Sequence, residues 1–134
     1  MNIELTKREL RLLLDLVYTG NWVLNSTRGR DRLTDYDELE SKIFAQSLKT
    51  GMPELIEIHK DGVSPSRAYA EGGIHEVIME YEDTVFFEIL AEEMARRDMN
   101  NEPINSENFH ELTGRINEYI NEFEQNGMDN ISWN

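Results

Sequence analysis

Residues 74–98, which lie in the longest stretch without glycine or proline, repeat apolar side chains with the period of an α-helix. Five of them share one side and predict a buried face: Ile74, Val77, Ile78, Tyr81 and Val85. The opposite side begins with three carboxylates and continues with apolar residues: Glu76, Glu80, Asp83, Phe87, Leu90 and Met94. We therefore expect a central helix whose second half is buried on two sides. Its carboxylates face either solvent or a cavity floored by Phe87.

A second helical pattern begins near the N-terminus. Thr6 and Glu9 have the spacing of a capping box, in which each side chain satisfies a free backbone N–H at a helix start. Leucines and valines then keep helical spacing to about Asn25. Tyr18 and Trp22 lie among charged residues on the other side of this helix. They either pack under a neighbouring segment, which we favour, or remain exposed for a partner, because interfaces are rich in these aromatics.

Two further helices are expected. Thr34 followed by an acidic turn is a start signal, and the helix that follows ends at Gly51. Asn105 or Ser106 caps a last helix that runs to about Gln125. The segment 53–60 permits either one or two helical turns behind a proline or a short extended stretch.

The connection 61–73 contains three glycines and one proline, and it is expected to be a long irregular loop. Connections of this length are often functional. Together the patterns predict an all-α protein, a compact bundle of four longer helices plus one short helix.

Residues 1–134 are enough for one self-sufficient domain, and we expect a single acidic helical domain. The absence of cysteine excludes a disulfide framework and a thiolate site for metal or catalysis. Charged residues interrupt the N-terminal apolar run, so no signal peptide is predicted. No apolar run is long enough to span a membrane. A cytoplasmic location and no membrane partner are therefore expected.

The charge is strongly negative. There are 27 acidic and 13 basic residues, for a formal charge of −14, and the stretch 68–95 holds eight acidic residues and no basic one. Such a surface repels nucleic acid and attracts basic proteins. We expect a partner-binding surface that contains these acidic residues and the two aromatics of the first helix: Glu71, Glu76, Glu80, Glu82, Asp83, Glu88, Tyr18 and Trp22.

One spacing points instead to metal chemistry. Glu54 and Glu57, and then Glu80 and Asp83, form two carboxylate pairs with three-residue spacing. Within residues 54–83 this pattern resembles the motif of the all-α nucleoside triphosphate pyrophosphohydrolases, the MazG and dimeric dUTPase group. The resemblance implies Mg²⁺ held by these four residues against a triphosphate. The chain departs from the family because its first pair directly follows Pro53 in a short segment, whereas the family places that pair inside a long helix.

Other catalytic patterns are weak. Glu107 and His110 match half of a di-iron signature that has no second copy here. His59 and His75 flank the connection 61–73 without helical ligand spacing, and no serine stands in a nucleophile-elbow context. The leading hypothesis is thus a small acidic helical protein that needs no cofactor and binds a basic, nucleic-acid-binding partner. Inhibitors that mimic nucleic acid charge, including phage counter-defence proteins, share this composition. The alternatives are the Mg²⁺-dependent hydrolase and a housekeeping domain whose charge serves solubility.

Overall fold

The computed structural model describes residues 1–133. The protein is mostly helical, as the sequence predicts, with a small two-stranded sheet in addition. Its helices are α1 (Lys7–Asn25), α2 (Thr34–Phe44), the single turn α3 (Arg67–Tyr69), α4 (His75–Asp98) and α5 (Phe109–Asn126). Strands β1 (Ile56–His59) and β2 (Gly62–Pro65) form the sheet. Short 3₁₀ turns occupy Ala45–Leu48 and Pro53–Leu55, and a wider π turn occupies Ala70–Ile74.

The chain forms two compact units, the N-terminal unit Met1–Ile78 and the C-terminal unit Met79–Asn134. Helix α4 begins in the first and ends in the second. The single domain expected for residues 1–134 stays a prediction. Within residues 1–133, none of the helices combines the length and the apolar character that crossing a lipid bilayer requires.

Helix α1 begins and ends where the sequence predicts. The Thr6 hydroxyl accepts a hydrogen bond from the Glu9 N–H at 3.1 Å, and the Glu9 carboxylate accepts one from the Thr6 N–H at 3.0 Å. This is the complete capping box, which satisfies two N–H groups that a helix start leaves unpaired. The helix then continues without a break to Asn25.

The core of the N-terminal unit lies between α1, the end of α2 and the segment that follows the sheet. Six buried residues form it: Leu10, Leu14, Phe44, Met52, Ile56 and Tyr69. The rings of Phe44 and Tyr69 meet edge to face with centroids 5.1 Å apart, a favourable arrangement for aromatic pairs. The apolar side of α1 is wider than this core can cover, because Leu16 and Val23 remain exposed.

The prediction that residues 61–73 form an irregular loop is wrong. Its first part is β2, which pairs antiparallel with β1 in the register Ile56 to Pro65 and His59 to Gly62. Gly62 has φ of 144°, a conformation that L side chains rarely adopt and that closes this hairpin. The segment 53–60 accordingly contains one 3₁₀ turn and then a strand. Strands of four residues are too short for hydrophobic periodicity to identify.

The second part of that segment is helical. The Ser66 hydroxyl accepts a hydrogen bond from the Tyr69 N–H at 3.1 Å and donates one to the Glu54 carbonyl at 2.7 Å. These bonds start the turn α3 and fix it to the residues before β1. The turn places Tyr69 in the core, and that contact could not be inferred from the glycines and the proline around it.

The C-terminal unit contains most of α4 and all of α5. Its buried cluster holds Ala95, Met99 and Leu112. Helix α4 ends because Asn100 and Asn101 take left-handed conformations, with φ of 56° and 53°, which asparagine tolerates better than most residues. The Asn105 side chain accepts hydrogen bonds from the N–H groups of the two residues before α5, and the helix therefore starts at Phe109, later than predicted.

Candidate functional site

The structure leaves all six acidic residues of the predicted partner-binding surface exposed. Glu71 and Glu76 belong to the N-terminal unit, and Glu71 pairs with Arg67 at 2.7 Å. The other four, Glu80, Glu82, Asp83 and Glu88, lie on the part of α4 that belongs to the C-terminal unit. The prediction that this helix buries one apolar stripe is wrong in part: Ile78 is buried, but Val77 and Tyr81 are 60% and 66% exposed.

The C-terminal unit contains a groove between α4 and α5, here called the acidic groove. It encloses about 260 Å³ and is lined from both helices: Asp83, Thr84, Phe87, Glu88, Ile120, Phe123 and Glu124. On α4 the lining residues follow Asp83 by one, four and five positions, and on α5 they follow Ile120 by three and four positions. This spacing places each set on a single helix face.

The floor of the acidic groove is apolar. The ring centroids of Phe87 and Phe123 are 5.3 Å apart, and the Tyr119 ring stacks on Phe123 with the two centroids 6.1 Å apart. Phe123 is buried, whereas Phe87 is only half-buried because it faces the groove. The adjacent Phe86 is 48% exposed, with its ring centroid 5.0 Å from that of Phe87. Apolar surface therefore continues beyond the groove.

The rim of the acidic groove is negatively charged. Asp83, Glu88 and Glu124 line it, and within residues 1–133 no ion pair involves any of them. The C-terminal unit holds 14 acidic and three basic residues, a net charge of −11. Each of the three arginines is paired, at 3.2, 3.0 and 3.0 Å: Arg96 with Glu92, Arg97 with Asp98, and Arg115 with Glu111. The rim carboxylates are thus left without a neutralising cation.

The sequence posed the question of where three carboxylates of the central helix point. All three are exposed, and only Asp83 also lines the groove that contains Phe87. The sequence did not indicate every residue that α5 contributes to the groove. Ile120 and Phe123 belong to the apolar stripe of that helix, but nothing in the sequence indicated that Glu124 would lie beside Asp83 and Glu88. Only the pairing of the two helices brings these three carboxylates to one groove.

Tyr18 and Trp22 occupy the N-terminal unit, where they pack against aromatic neighbours. The Tyr18 hydroxyl lies 2.6 Å from Nε2 of His75, and the Trp22 and His75 rings meet edge to face at 4.6 Å. Tyr18 also contacts Tyr69 edge to face at 5.2 Å. Tyr18 is half-buried, but Trp22 remains 37% exposed. Intramolecular packing, the favoured expectation, therefore describes Tyr18 better than Trp22.

The residues of the metal hypothesis do not have the required local structure. Glu54 lies in a 3₁₀ turn and Glu57 in β1, so the first pair does not share a helix face. Glu80 and Asp83 do share one, on α4, and both are exposed. Within residues 1–133 no three His, Cys, Asp or Glu side chains are grouped so that they could hold a metal ion.

Comparison of the chain with models of known protein families, with curated proteins and with solved structures finds no match.

Proposed function

We propose that this protein acts by binding another protein, and that the acidic groove receives a basic amphipathic segment of that partner. The observation that carries the proposal is the combination of an apolar aromatic floor with three unpaired carboxylates on the rim. A ligand that satisfies both features presents large apolar side chains flanked by lysine or arginine.

The groove is open and lies between two helices, with a volume of about 260 Å³. A groove between two helices is also the usual receptor for an amphipathic helix, which inserts apolar anchors spaced three and four residues apart. The exposed apolar surface of Phe86 beside the groove would extend the contact area.

Charge supports a basic partner. The net charge of −11 on the C-terminal unit would speed encounter with a positively charged surface, and the unpaired rim carboxylates would then form ion pairs with it. Nucleic acid would be repelled. Proteins that bind nucleic acid present basic surfaces, so such a protein is the partner we propose, and covering its basic surface would inhibit it.

The test uses a synthetic peptide with leucine at helical positions i, i+3, i+4 and i+7 and lysine elsewhere. Its affinity for the full chain is measured by fluorescence anisotropy at about 50 and 500 mM NaCl, because salt screens exposed charges. The double variant E88Q/E124Q removes two rim charges. It should weaken binding roughly two- to thirtyfold at low salt, since exposed ion pairs contribute about 0.2–1 kcal/mol each. Ile120→Asn should weaken binding at both salt concentrations because it disrupts the apolar floor.

The matched control is E102Q/E107Q, which removes the same charge from exposed positions of the same unit outside the groove. A scrambled peptide of identical composition separates groove binding from simple charge attraction. Equal affinity for the ordered and scrambled peptides would contradict the proposal, and so would an equal loss in the two double variants. The absence of any binding would leave the charge to serve solubility alone.

A further inference from the structure

A second cavity lies in the N-terminal unit, between α1 and α2, and is independent of the acidic groove. It encloses about 310 Å³, and we call it the aromatic pocket. Residues from α1, the loop after it and α2 line it: Tyr18, Asn21, Trp22, Asn25, Ser26, Arg32 and Glu40. It thus combines two aromatic rings with a carboxylate at a size that suits a small ligand.

The wall of the aromatic pocket is held by a buried amide network. The Asn25 side chain donates to the Asn21 side chain at 2.7 Å and to the Leu33 carbonyl at 3.1 Å, and it accepts from the Leu33 N–H at 2.7 Å. Both asparagines are buried. These bonds tie the loop after α1 to the helix, so the pocket is a built feature of the fold.

Two of the polar side chains that line the pocket, Arg32 and Asn21, donate to one shared acceptor, the carboxylate of Asp37. The Arg32 guanidinium donates two hydrogen bonds to the Asp37 carboxylate, at 2.6 and 2.9 Å, and Asn21 donates to the same carboxylate at 2.9 Å. Arg32 and Asp37 therefore neutralise each other. An anionic ligand would have to compete with Asp37 for these groups.

Glu40 is the carboxylate that remains. It is half-buried, and within residues 1–133 it forms no ion pair. Burial raises the pKa of its carboxyl group and outweighs a hydrogen bond with the Asn21 side chain, which lowers it; the nearby charge of Asp37 raises this pKa further, and that of Arg32 lowers it. A cation placed beside Glu40 would stabilise the charged form of the carboxylate, which burial disfavours.

The two aromatic rings favour the same class of ligand. Tyr18 and Trp22 stack with centroids 6.3 Å apart and an angle of 22° between their planes. The faces of such rings attract cations, and sites for alkylated ammonium groups are commonly built from tryptophan and tyrosine. We propose that the aromatic pocket binds a small organic cation with an alkylammonium head group, held by Tyr18 and Trp22 and neutralised by Glu40.

The probe is tetramethylammonium, titrated at constant ionic strength against sodium chloride. The protein contains two tryptophans, and the fully exposed Trp133 is changed to phenylalanine so that Trp22 alone reports by fluorescence. We expect saturable binding that is weakened at least fivefold by Glu40→Gln, which keeps the shape of the side chain but removes its charge. Glu38→Gln is the matched control, since it removes the same charge from an exposed position of α2.

The neutral compound tert-butanol has a similar shape and shows whether binding needs the positive charge. Acetate is an anion and shows whether Arg32 instead makes the pocket a site for negative charge. Equal responses to tetramethylammonium and tert-butanol would overturn the proposal, as would stronger binding of acetate or unchanged binding in Glu40→Gln. Thermal unfolding of Glu40→Gln accompanies the titration. A folded variant with lost binding supports the site, and a folded variant with full binding refutes it.

Discussion

The hydroxyl of Tyr69 donates a 2.7 Å hydrogen bond to Oδ1 of Asp15, a residue 54 positions earlier in the chain. The same oxygen accepts a hydrogen bond from Arg11 at 2.7 Å, and the Arg11 guanidinium lies 4.9 Å from the centre of the Tyr69 ring. Tyr69 is 1% exposed. This arrangement fixes the segment after the hairpin onto α1 and completes the core of the N-terminal unit.

The first prediction concerns this hydrogen bond. Tyr69→Phe keeps the ring in the core but removes the hydroxyl, and we expect it to lower the free energy of unfolding by about 1.5–3 kcal/mol, the usual range for a bond to a charged group. Chemical denaturation measures the change. Tyr36→Phe removes a hydroxyl from an exposed tyrosine and should change stability little. Equal effects of the two substitutions would contradict the role of the Asp15 contact.

The second prediction concerns the amide network of the aromatic pocket. Asn25→Ala removes three hydrogen bonds and leaves the Leu33 backbone groups without their partner. We expect a loss of about 2–5 kcal/mol, since unsatisfied polar groups away from water cost about 1–3 kcal/mol each. Hydrogen exchange should show faster opening of the loop 26–33. Asn126→Ala, which removes an exposed asparagine from the end of α5, is the comparison. Unchanged exchange in the loop would show that Asn25 does not hold it.

The third prediction is a pH dependence. Because burial raises the pKa of Glu40 in the folded protein, its contribution favours folding at low pH and is lost as pH rises through that pKa. Glu40→Gln should therefore raise the melting temperature slightly at neutral pH. The gain should disappear as pH falls towards the ordinary value of 4.5. A gain that is the same at every pH, or one that Glu38→Gln reproduces, would contradict this explanation.

Three other groups around Glu40 act in different pH ranges. Hydrogen bonds from Arg32 hold the pKa of Asp37 below its ordinary value, so the stability that Asp37 contributes is lost only in stronger acid. Arg32 stays charged throughout, and its pKa is raised by the same contact. Desolvation raises the pKa of Tyr18, which therefore stays neutral across the measured range. The change in stability caused by the titration of Glu40 can consequently be distinguished from the changes caused by these three groups.

The fourth prediction concerns the start of α1. Thr6→Ala removes the hydroxyl that accepts a hydrogen bond from the Glu9 N–H. The expected loss is about 1 kcal/mol, within the roughly 0.5–2 kcal/mol seen for N-cap substitutions. Thermal unfolding checks it against Thr27→Ala, an exposed threonine outside the helix. A loss of similar size in both variants would contradict a specific capping effect.

The sequence by itself determined where the longer helices form, through local start signals and uninterrupted helical runs. The capping box at Thr6, the start signal at Thr34 and the run 74–98 without glycine or proline depend only on residues close together in the chain. Helix formation is governed by such local interactions, and the four longer helices were therefore predictable. The excess of carboxylates in the C-terminal unit was also readable from the sequence.

Only the tertiary structure decided which of these residues share a site. The hairpin of β1 and β2 is too short to have a recognisable period, and the position of Tyr69 depends on a contact with α1. Glu124 and Asp83 line one groove only because α5 packs beside α4, and Glu40 and Trp22 line one pocket only because α2 packs beside α1. Such contacts join residues distant in sequence, and no local pattern encodes which side chains will meet when helices pack.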